Sequence, residues 1–300
     1  MPEPAVRPAL SRVGLTGVEA VVRLGVSERS AQPFAARIEC MLEPDPALAG
    51  GPRFEDTVTD VLREVVAGPA AMRAERLARE LAERARERAR ARVAEVTITA
   101  RFPERRPAPV SGTPTQEIST LNARALASAR GTRRTVGVSA QGITAAPHAQ
   151  AVLAARSRER LAAEGFAPAQ IARVLDHIPV ATHDQRGTGT LHLGCPEEES
   201  FEFDVPALLD IVEGAMSSEI YELMKRSDEG AVVERAHRRP RTPGDCVAAM
   251  IAGVVERFAE LPDSAVVSAT QESFETIHRH CAIAERTGTL GELRAELASR

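Results

Sequence analysis

Four short segments hold most of the side chains able to bind a metal, move a proton or grip a phosphate: GITAAPHAQ (142–150), PVATHDQRG (179–187), SSEIYELMKRSDEGAVVE (217–234) and QESFETIHRH (271–280). They contribute His148, His183, Asp184, Arg186, Glu219, Lys225, Arg226, Glu234, Glu275, His278 and His280. Imidazole with carboxylate is a donor set for Zn(II) or Fe(II), and ligands spread over several segments describe an enzyme site better than a small structural zinc knuckle. On an extended segment His278 and His280 point to the same side, with Thr276, because side chains alternate along a strand. Of the 38 basic residues only Lys225 is a lysine, and a compact ammonium in so arginine-rich a chain suits a phosphate. Val212, Met216, Glu219 and Leu223 are spaced four, three and four apart, which predicts a helix with Glu219 on its apolar stripe. A carboxylate so placed needs a metal, a cation or a hydrogen-bond donor inside the fold.

Each of these side chains also has a plainer role open to it. Glu219 could pair with an arginine from another segment, Glu234 could sit on a solvated helix face, and His278 and His280 could alternate with Ile277 in an ordinary strand. His177, His192 and His237 stand outside the four segments and read as surface or hydrogen-bonded structural residues.

The elements that must carry these groups follow from periodicity. Val13 to Leu24 and Phe34 to Leu42 read as two strands joined across the turn formers of VSERSAQP. Helices are predicted from Phe54 to Val66, with Val58, Val61, Leu62 and Val65 on one face, and from Ala70 to Arg92. Strict alternation at Val96, Ile98 and Ala100 gives a third strand, and Gln116 to Ala127 a fourth, so the order is ββααββ. The second half repeats it: strands at Arg134 to Gly142 and at Thr188 to Leu193 with Phe201 to Phe203, then helices at Pro206 to Arg226 and Pro243 to Phe258. Extended segments from Ala265 to Glu272 and from Phe274 to Ala284 close that set. Pro206 and Pro243 suit first-turn positions, and Thr242 is a candidate cap. Residues 143–186 form an insertion with helices near Gln150 to Gly165 and Pro168 to Leu175. The pattern predicts two α+β modules in tandem, residues 1–130 and 131–300, with most of the chemistry in the second. In RAERLARELAERARERARAR, Glu75 with Arg79 and Glu80 with Arg84 are i,i+4 pairs, so this stretch reads as a solvated helix face rather than a nucleic-acid patch.

Composition narrows the function classes. A net charge of −4 argues against a general binder of nucleic acid or membrane surfaces, while leaving room for a local basic pocket. With no Trp and one Tyr, the core is built from Val, Leu, Ile and Ala. Cys40, Cys195, Cys246 and Cys281 form no CxxC pair, so neither a zinc ribbon nor a disulfide framework is indicated and a reducing compartment fits. The N-terminal MPEPAVRPALSR has no apolar signal core, and no apolar run approaches the ~20 residues of a membrane span. A cytoplasmic protein is the expectation.

The segments THDQRG, SSEIYELMKRSDE, VVERAH and FETIHRH, in that order, resemble the motifs of the type IB GTP cyclohydrolases, especially the archaeal MptA-type branch. The match is close over roughly residues 130 to 285 and one of pattern in the N-terminal third. The resemblance implies two tunnelling-fold modules of antiparallel ββααββ sheet with helices on one face, a homotetramer, and a divalent metal that opens the imidazole ring of GTP at C8 with loss of formate. It places the metal ligands on His183, Glu219 and His278, and the catalytic base on Glu234. Glu275 matches a further active-site glutamate, which either accepts from the N–H donors of a guanine edge or shuttles a proton. Lys225, Arg226 and Arg186 are candidates for phosphate contacts or, for the arginines, structural salt bridges, and His280 lies on the substrate side.

One departure matters. Where the family carries Cys-Pro-Cys, this chain reads Ala146-Pro147-His148, so the thiolate ligand is lost and an imidazole stands at the substrate-side position. His183, His278 and Glu219 then make a 2-His-1-carboxylate set, which suits Fe(II) or Mn(II) at least as well as Zn(II). Two residues of extended chain span roughly 6–7 Å; His148 is therefore either a ligand after a local shift or a general acid/base near neutral pH. Three functions follow. The first is a GTP cyclohydrolase giving a 7,8-dihydroneopterin triphosphate or 2′,3′-cyclic phosphate. The second is a diverged hydrolase of another purine nucleotide, or one stopping at a formamidopyrimidine. The third is a non-catalytic pterin or nucleotide binder.

Overall fold

The computed structural model describes residues 10–25, 32–45, 54–66, 72–195 and 202–299. Most of the turn in VSERSAQP, Ala70 and Phe201 lie outside the described residues. The chain divides into two compact units. Unit 1 is Met1–Phe102, Thr120–Gly137 and Leu193–Phe203; unit 2 is Pro103–Ser119, Val138–His192 and Asp204–Arg300.

Unit 1 draws on β1 (Val13–Leu24), β2 (Gln32–Glu43), α1 (Phe54–Val66), α2 (Ala74–Ala89), β3 (Val93–Pro107) and β4 (Pro114–Ser128). β1 pairs antiparallel with β2, and β2 with β3, in a register that sets Ile38 opposite Ile98 and Cys40 opposite Val96. Alternation along these strands sends Phe34, Ala36, Ile38, Cys40 and Leu42 of β2, and Ala94, Val96, Ile98 and Ala100 of β3, into the core. The helices answer with apolar stripes at helical spacing: Val58, Val61, Leu62 and Val65 on α1, and Leu77, Ala78, Leu81, Ala82 and Ala85 on α2. α2 stops where Arg90 turns left-handed (φ 50°) and its amide returns to Glu87 O. Truncating a core residue such as Leu81 to Ala costs about 2–5 kcal/mol.

Unit 2 draws on β5 (Gly131–Ala145), α3 (Pro147–Ala163), α4 (Pro168–His177), β6 (Asp184–Cys195), α5 (Val205–Ala215), β7 (Ser218–Glu219), α6 (Arg226–Arg238), α7 (Pro243–Arg257), β8 (Val266–Ser273), β9 (Ala282–Thr289) and α8 (Leu290–Ala298). Within this unit hydrogen-bonded neighbours follow the order β5-β6-β8-β9, with β7 on β5. Helix starts are chemically marked: Asp204 accepts from Ala207 N, Thr242 from Asp245 N and Thr289 from Glu292 N. Pro243 opens α7 directly after its Thr242 cap. The α+β class and the paired helices of each half are as the sequence pattern predicts.

Several expectations are corrected. The helix expected from Pro206 to Arg226 ends at Ala215, because Ser217 N donates to Ile143 O and Ser218–Glu219 pair as β7 with Ile143 and Gly142 near the end of β5. Glu219 thus lies on a short strand and not on a helical stripe, and Leu223 is 67% exposed. A separate helix, α6, follows at Arg226, where Asp228 accepts from Lys225 N. The strand expected from Phe274 to Ala284 begins only at Ala282, so His278 and His280 stand on an irregular loop. Phe203 is buried but not in a strand. Glu75, expected on a solvated face, is 2% exposed, and Arg79 pairs with Glu83 instead; the Glu80–Arg84 pair forms.

Candidate functional site

The site is assembled in unit 2 by backbone ties among β5, β6 and the loop after β8. Ala146 N donates to His183 O at 3.1 Å and the Thr182 hydroxyl to Ala146 O at 2.7 Å, which ties the end of β5 to the start of β6. Phe274 N donates to Arg186 O at 2.9 Å and the Thr276 hydroxyl to Asp184 O at 3.2 Å, which lays the loop of residues 274–281 along β6. Side chains far apart in sequence therefore meet. The His183 ring lies edge-on to His278, centroids 6.4 Å apart, and His278 stacks on His280 at 4.9 Å, 13° from parallel. Glu275 Oε2 approaches His183 Nδ1 at 3.6 Å and is buried with no hydrogen-bond partner.

Behind these groups runs a buried polar row. Gln185 Oε1 lies 3.1 Å from His183 Nδ1, and Gln185 Nε2 donates to Thr144 Oγ1 at 3.1 Å and to Glu275 Oε1 at 3.5 Å. Thr144 Oγ1 meets Ser273 Oγ at 2.9 Å. None of Gln185, Thr144 and Ser273 was singled out from sequence. The signal for Gln185 was present: two positions after His183, it shares the side of an extended segment with that histidine.

Glu219 sits elsewhere, on β7 opposite Gly142 of β5, and its carboxylate takes a hydrogen bond from Arg235. A cation does meet it, as its chemistry required. Gly142 permits the approach: a Cβ there would lie 2.6 Å from Met216 Cε and 2.9 Å from Ser218 O. Two buried carboxylates hold the chain that follows β7. Glu117 accepts from Glu222 N at 3.2 Å, and Asp228 accepts from Lys225 N at 2.9 Å, Val110 N at 2.9 Å, Ser111 N at 2.7 Å and Ser111 Oγ at 2.7 Å. Arg106 donates to Glu213 at 2.6 Å and to Glu104 at 3.0 Å, and its guanidinium lies over the Tyr221 ring at 5.8 Å. Burial pushes the Glu213 carboxyl up against the pull of Arg106.

The remaining predicted residues are exposed. Lys225 precedes α6 and Arg226 begins it, and neither forms an ion pair among the described residues; the same holds for Arg186 on β6. Glu234 is paired with Arg238 one turn on at 2.7 Å, and so sits on a solvated helix face. His148 is the second residue of α3, exposed, and close enough to Asp245 to add to the Thr242 hydroxyl and amide and to Arg241 in holding that carboxyl below its usual range. His177 and His237 each meet a carbonyl one turn back on their own helices, as structural residues do.

As a cation site, the donor chemistry fits: His183 stands 3.6 Å from a buried carboxylate oxygen of Glu275 that has no donor, and a second imidazole, His278, lies edge-on to His183. Among the described residues, however, no group of three or more His, Cys, Asp or Glu side chains is already placed to hold a metal ion. Cys40, Cys195 and Cys246 are buried and Cys281 is exposed, all free. No described helix is long and apolar enough to cross a membrane.

Comparison with known proteins gives the following. A family model described as type I GTP cyclohydrolase folE2 matches residues 2–284. The chain is 32% identical over 302 residues to a GTP cyclohydrolase MptA of Methanococcus aeolicus, covering 98% of this chain and 97% of the relative. It is 33% identical to that of Methanosarcina mazei, covering 99% and 95%. Among solved structures it resembles a uricase from Arthrobacter globiformis, with a TM-score of 0.52 and 11% identity over 95% of this chain and 96% of that one. A urate oxidase from Bacillus sp. TB-90 gives 0.51 and 11% over 93% and 100%. At that identity the likeness shows the fold alone, which is the tandem tunnelling fold.

Proposed function

This chain belongs to the type I GTP cyclohydrolase folE2 family, and from that premise we propose that it is a GTP cyclohydrolase, opening the guanine imidazole ring at C8 with release of formate and giving a 7,8-dihydroneopterin phosphate. The observation that carries this is the convergence of His183, His278, His280 and the unsatisfied Glu275 carboxylate at one place in unit 2. A buried carboxylate oxygen without a donor is costly unless a ligand completes it. The paired N–H donors of a guanine edge are such a ligand, and Glu275 would orient the base by accepting from them.

His183 and His278 would hold a divalent cation, Fe(II) in preference to Mn(II) or Zn(II), with Glu219 as the family's carboxylate. Such an ion supplies a lowered pKa for water at the reacting carbon. Glu234 and His148 are the groups proposed to move protons as the ring opens and formate leaves, both on exposed helix positions where a proton exchanges readily. Lys225, Arg226 and Arg186 would bind the phosphates, the first as a point charge and the arginines as forks. A homotetramer in the cytoplasm, acting on GTP without nucleic acid or membrane, completes the proposal.

Ala146-Pro147-His148 in place of a thiolate, together with the Glu219–Arg235 pair, favours a second reading, in which the enzyme stops at a ring-opened formamidopyrimidine or takes another purine nucleotide. Anaerobic reconstitution with Fe(II), Mn(II) or Zn(II) followed by incubation with GTP tests both. Formate with a neopterin phosphate by mass spectrometry supports the cyclohydrolase, and formate without a pterin supports the second reading. Metal binding without any turnover of GTP counts against the first.

A further inference from the structure

The hydrogen bonds around Gln185 have a direction. Its amide nitrogen donates to Thr144 Oγ1 at 3.1 Å and to Glu275 Oε1 at 3.5 Å, so its amide oxygen is the atom that faces His183 Nδ1 at 3.1 Å. Turning the amide over would set its oxygen against the Glu275 carboxylate, two acceptors in contact where little water screens them. The carboxylate therefore chooses the orientation. An amide oxygen only accepts, so Nδ1 must carry the hydrogen, and in the neutral ring Nε2 is left with the lone pair. Glu275 Oε2, 3.6 Å from the same Nδ1, favours the same form. Thr144, having accepted from Gln185, is free to give its own hydrogen to Ser273 Oγ at 2.9 Å, and Thr144 and Ser273 are both fully buried.

We infer that Gln185 is a positioning residue: its amide oxygen locks His183 in the Nδ1–H tautomer and turns the Nε2 lone pair toward the site, while its amide nitrogen holds the Glu275 carboxylate. One side chain thereby sets an imidazole and a carboxylate that lie on different segments. What the lone pair serves, a cation or a substrate proton, rests on the proposed function; the tautomer itself does not.

The test is long-range proton–nitrogen NMR on the full-length, metal-free protein labelled with ¹⁵N at histidine, with His183 assigned from the spectrum of His183→Gln. The wild type is expected to show His183 as Nδ1–H, and an Nε2–H ring there overturns the inference with no further variant needed. Gln185→Met keeps the volume but offers no oxygen at this distance, and the Nδ1–H form should give way to a mixture containing Nε2–H; an unchanged ring in folded protein overturns it. Gln185→Glu combined with Glu275→Gln exchanges acceptor and donor between the two side chains, keeps an acceptor opposite Nδ1 without setting two carboxylates together, and should restore Nδ1–H, a rescue that mere filling of space would not give. If the tautomer behaves so while GTP yields no formate, the proposed activity fails and the positioning role stands. If formate is released while His183 is Nε2–H, the reverse holds.

Discussion

Glu75 in unit 1 and Asp228 in unit 2 are both carboxylates buried in the first turn of a helix, 2% and 0% exposed, and they behave oppositely. Glu75 has an oxygen with no hydrogen-bond partner, and burial pushes its carboxyl up despite its own amide and the charges of Arg73, Arg134 and Arg76. At Asp228 burial pushes the same way, but donors from Ser111, Lys225 and Val110 outweigh it and hold the carboxyl well below the usual range. The contrast extends to the units. Among the described residues, unit 1 buries the polar side chains of Glu75, Thr132 and Arg134, whereas unit 2 buries those of Thr115, Glu117, Ser119, Thr144, Gln185, Ser217, Ser218, Gln271 and Ser273 besides Asp228. Both units pack an apolar core, and unit 2 adds to it a larger set of buried polar side chains. Directional hydrogen bonds fix side-chain orientation in a way that non-directional apolar packing does not.

If that division is real, substitutions in the polar row around His183 in unit 2 strike activity, and those away from it, in either unit, strike stability. His183→Ala should give the largest effect, a loss of more than about 10⁴-fold in formate release from GTP, as when a member of a catalytic group acting as one unit is removed. Glu275→Gln should lower turnover about 10²–10⁴-fold while raising the melting temperature, since a buried carboxylate oxygen with no donor is replaced by a neutral amide. A fall in both would show that Glu275 is structural. Arg106→Met leaves Glu213 uncompensated at a half-buried site and should cost about 3 kcal/mol in urea unfolding.

The smallest effects sharpen the comparison by pH. Glu75 has a raised folded pKa, so its proton stabilises the fold below the ordinary carboxylate range, and that contribution is lost as pH rises through the folded value. Glu75→Gln should therefore gain about 1 kcal/mol at pH 7.5, with no gain near pH 4 and no change in formate release. Asp228 has a depressed folded pKa, so its contribution is present above the ordinary range and lost as pH falls below it. Asp228→Asn should lower the melting temperature at neutral pH and make little difference in strong acid. Melting curves of both variants over pH would break the comparison if the two slopes share a sign.

Much of the frame was legible because it is periodic. Extended runs on either side of the turn formers VSERSAQP predicted β1 and β2, alternation at Val96, Ile98 and Ala100 predicted β3, and the stripe Val58, Val61, Leu62, Val65 predicted α1. The stripe through Val212, Met216 and Glu219 misled for the same reason. Spacing is blind to competition, and the edge of β5 offers Ser217–Glu219 backbone partners that a further helical turn would forgo. His278 and His280 do share a side, but through ring stacking on a loop rather than through strand alternation. Glu75 was read as solvated from its charge and its i,i+4 neighbour, and only the burial of α2 reveals otherwise.

The sequence by itself determined the class of fold, the ββααββ order, the family and the stock of reactive side chains, because these depend on local pattern and residue type. Tertiary structure alone decided which of them meet. Gln185 and Glu275 lie 90 positions apart, and no spacing rule joins them. Glu219 turns to Arg235 while His183 turns to Gln185, because each polar atom takes a near partner of opposite role, and nearness is a property of the folded chain.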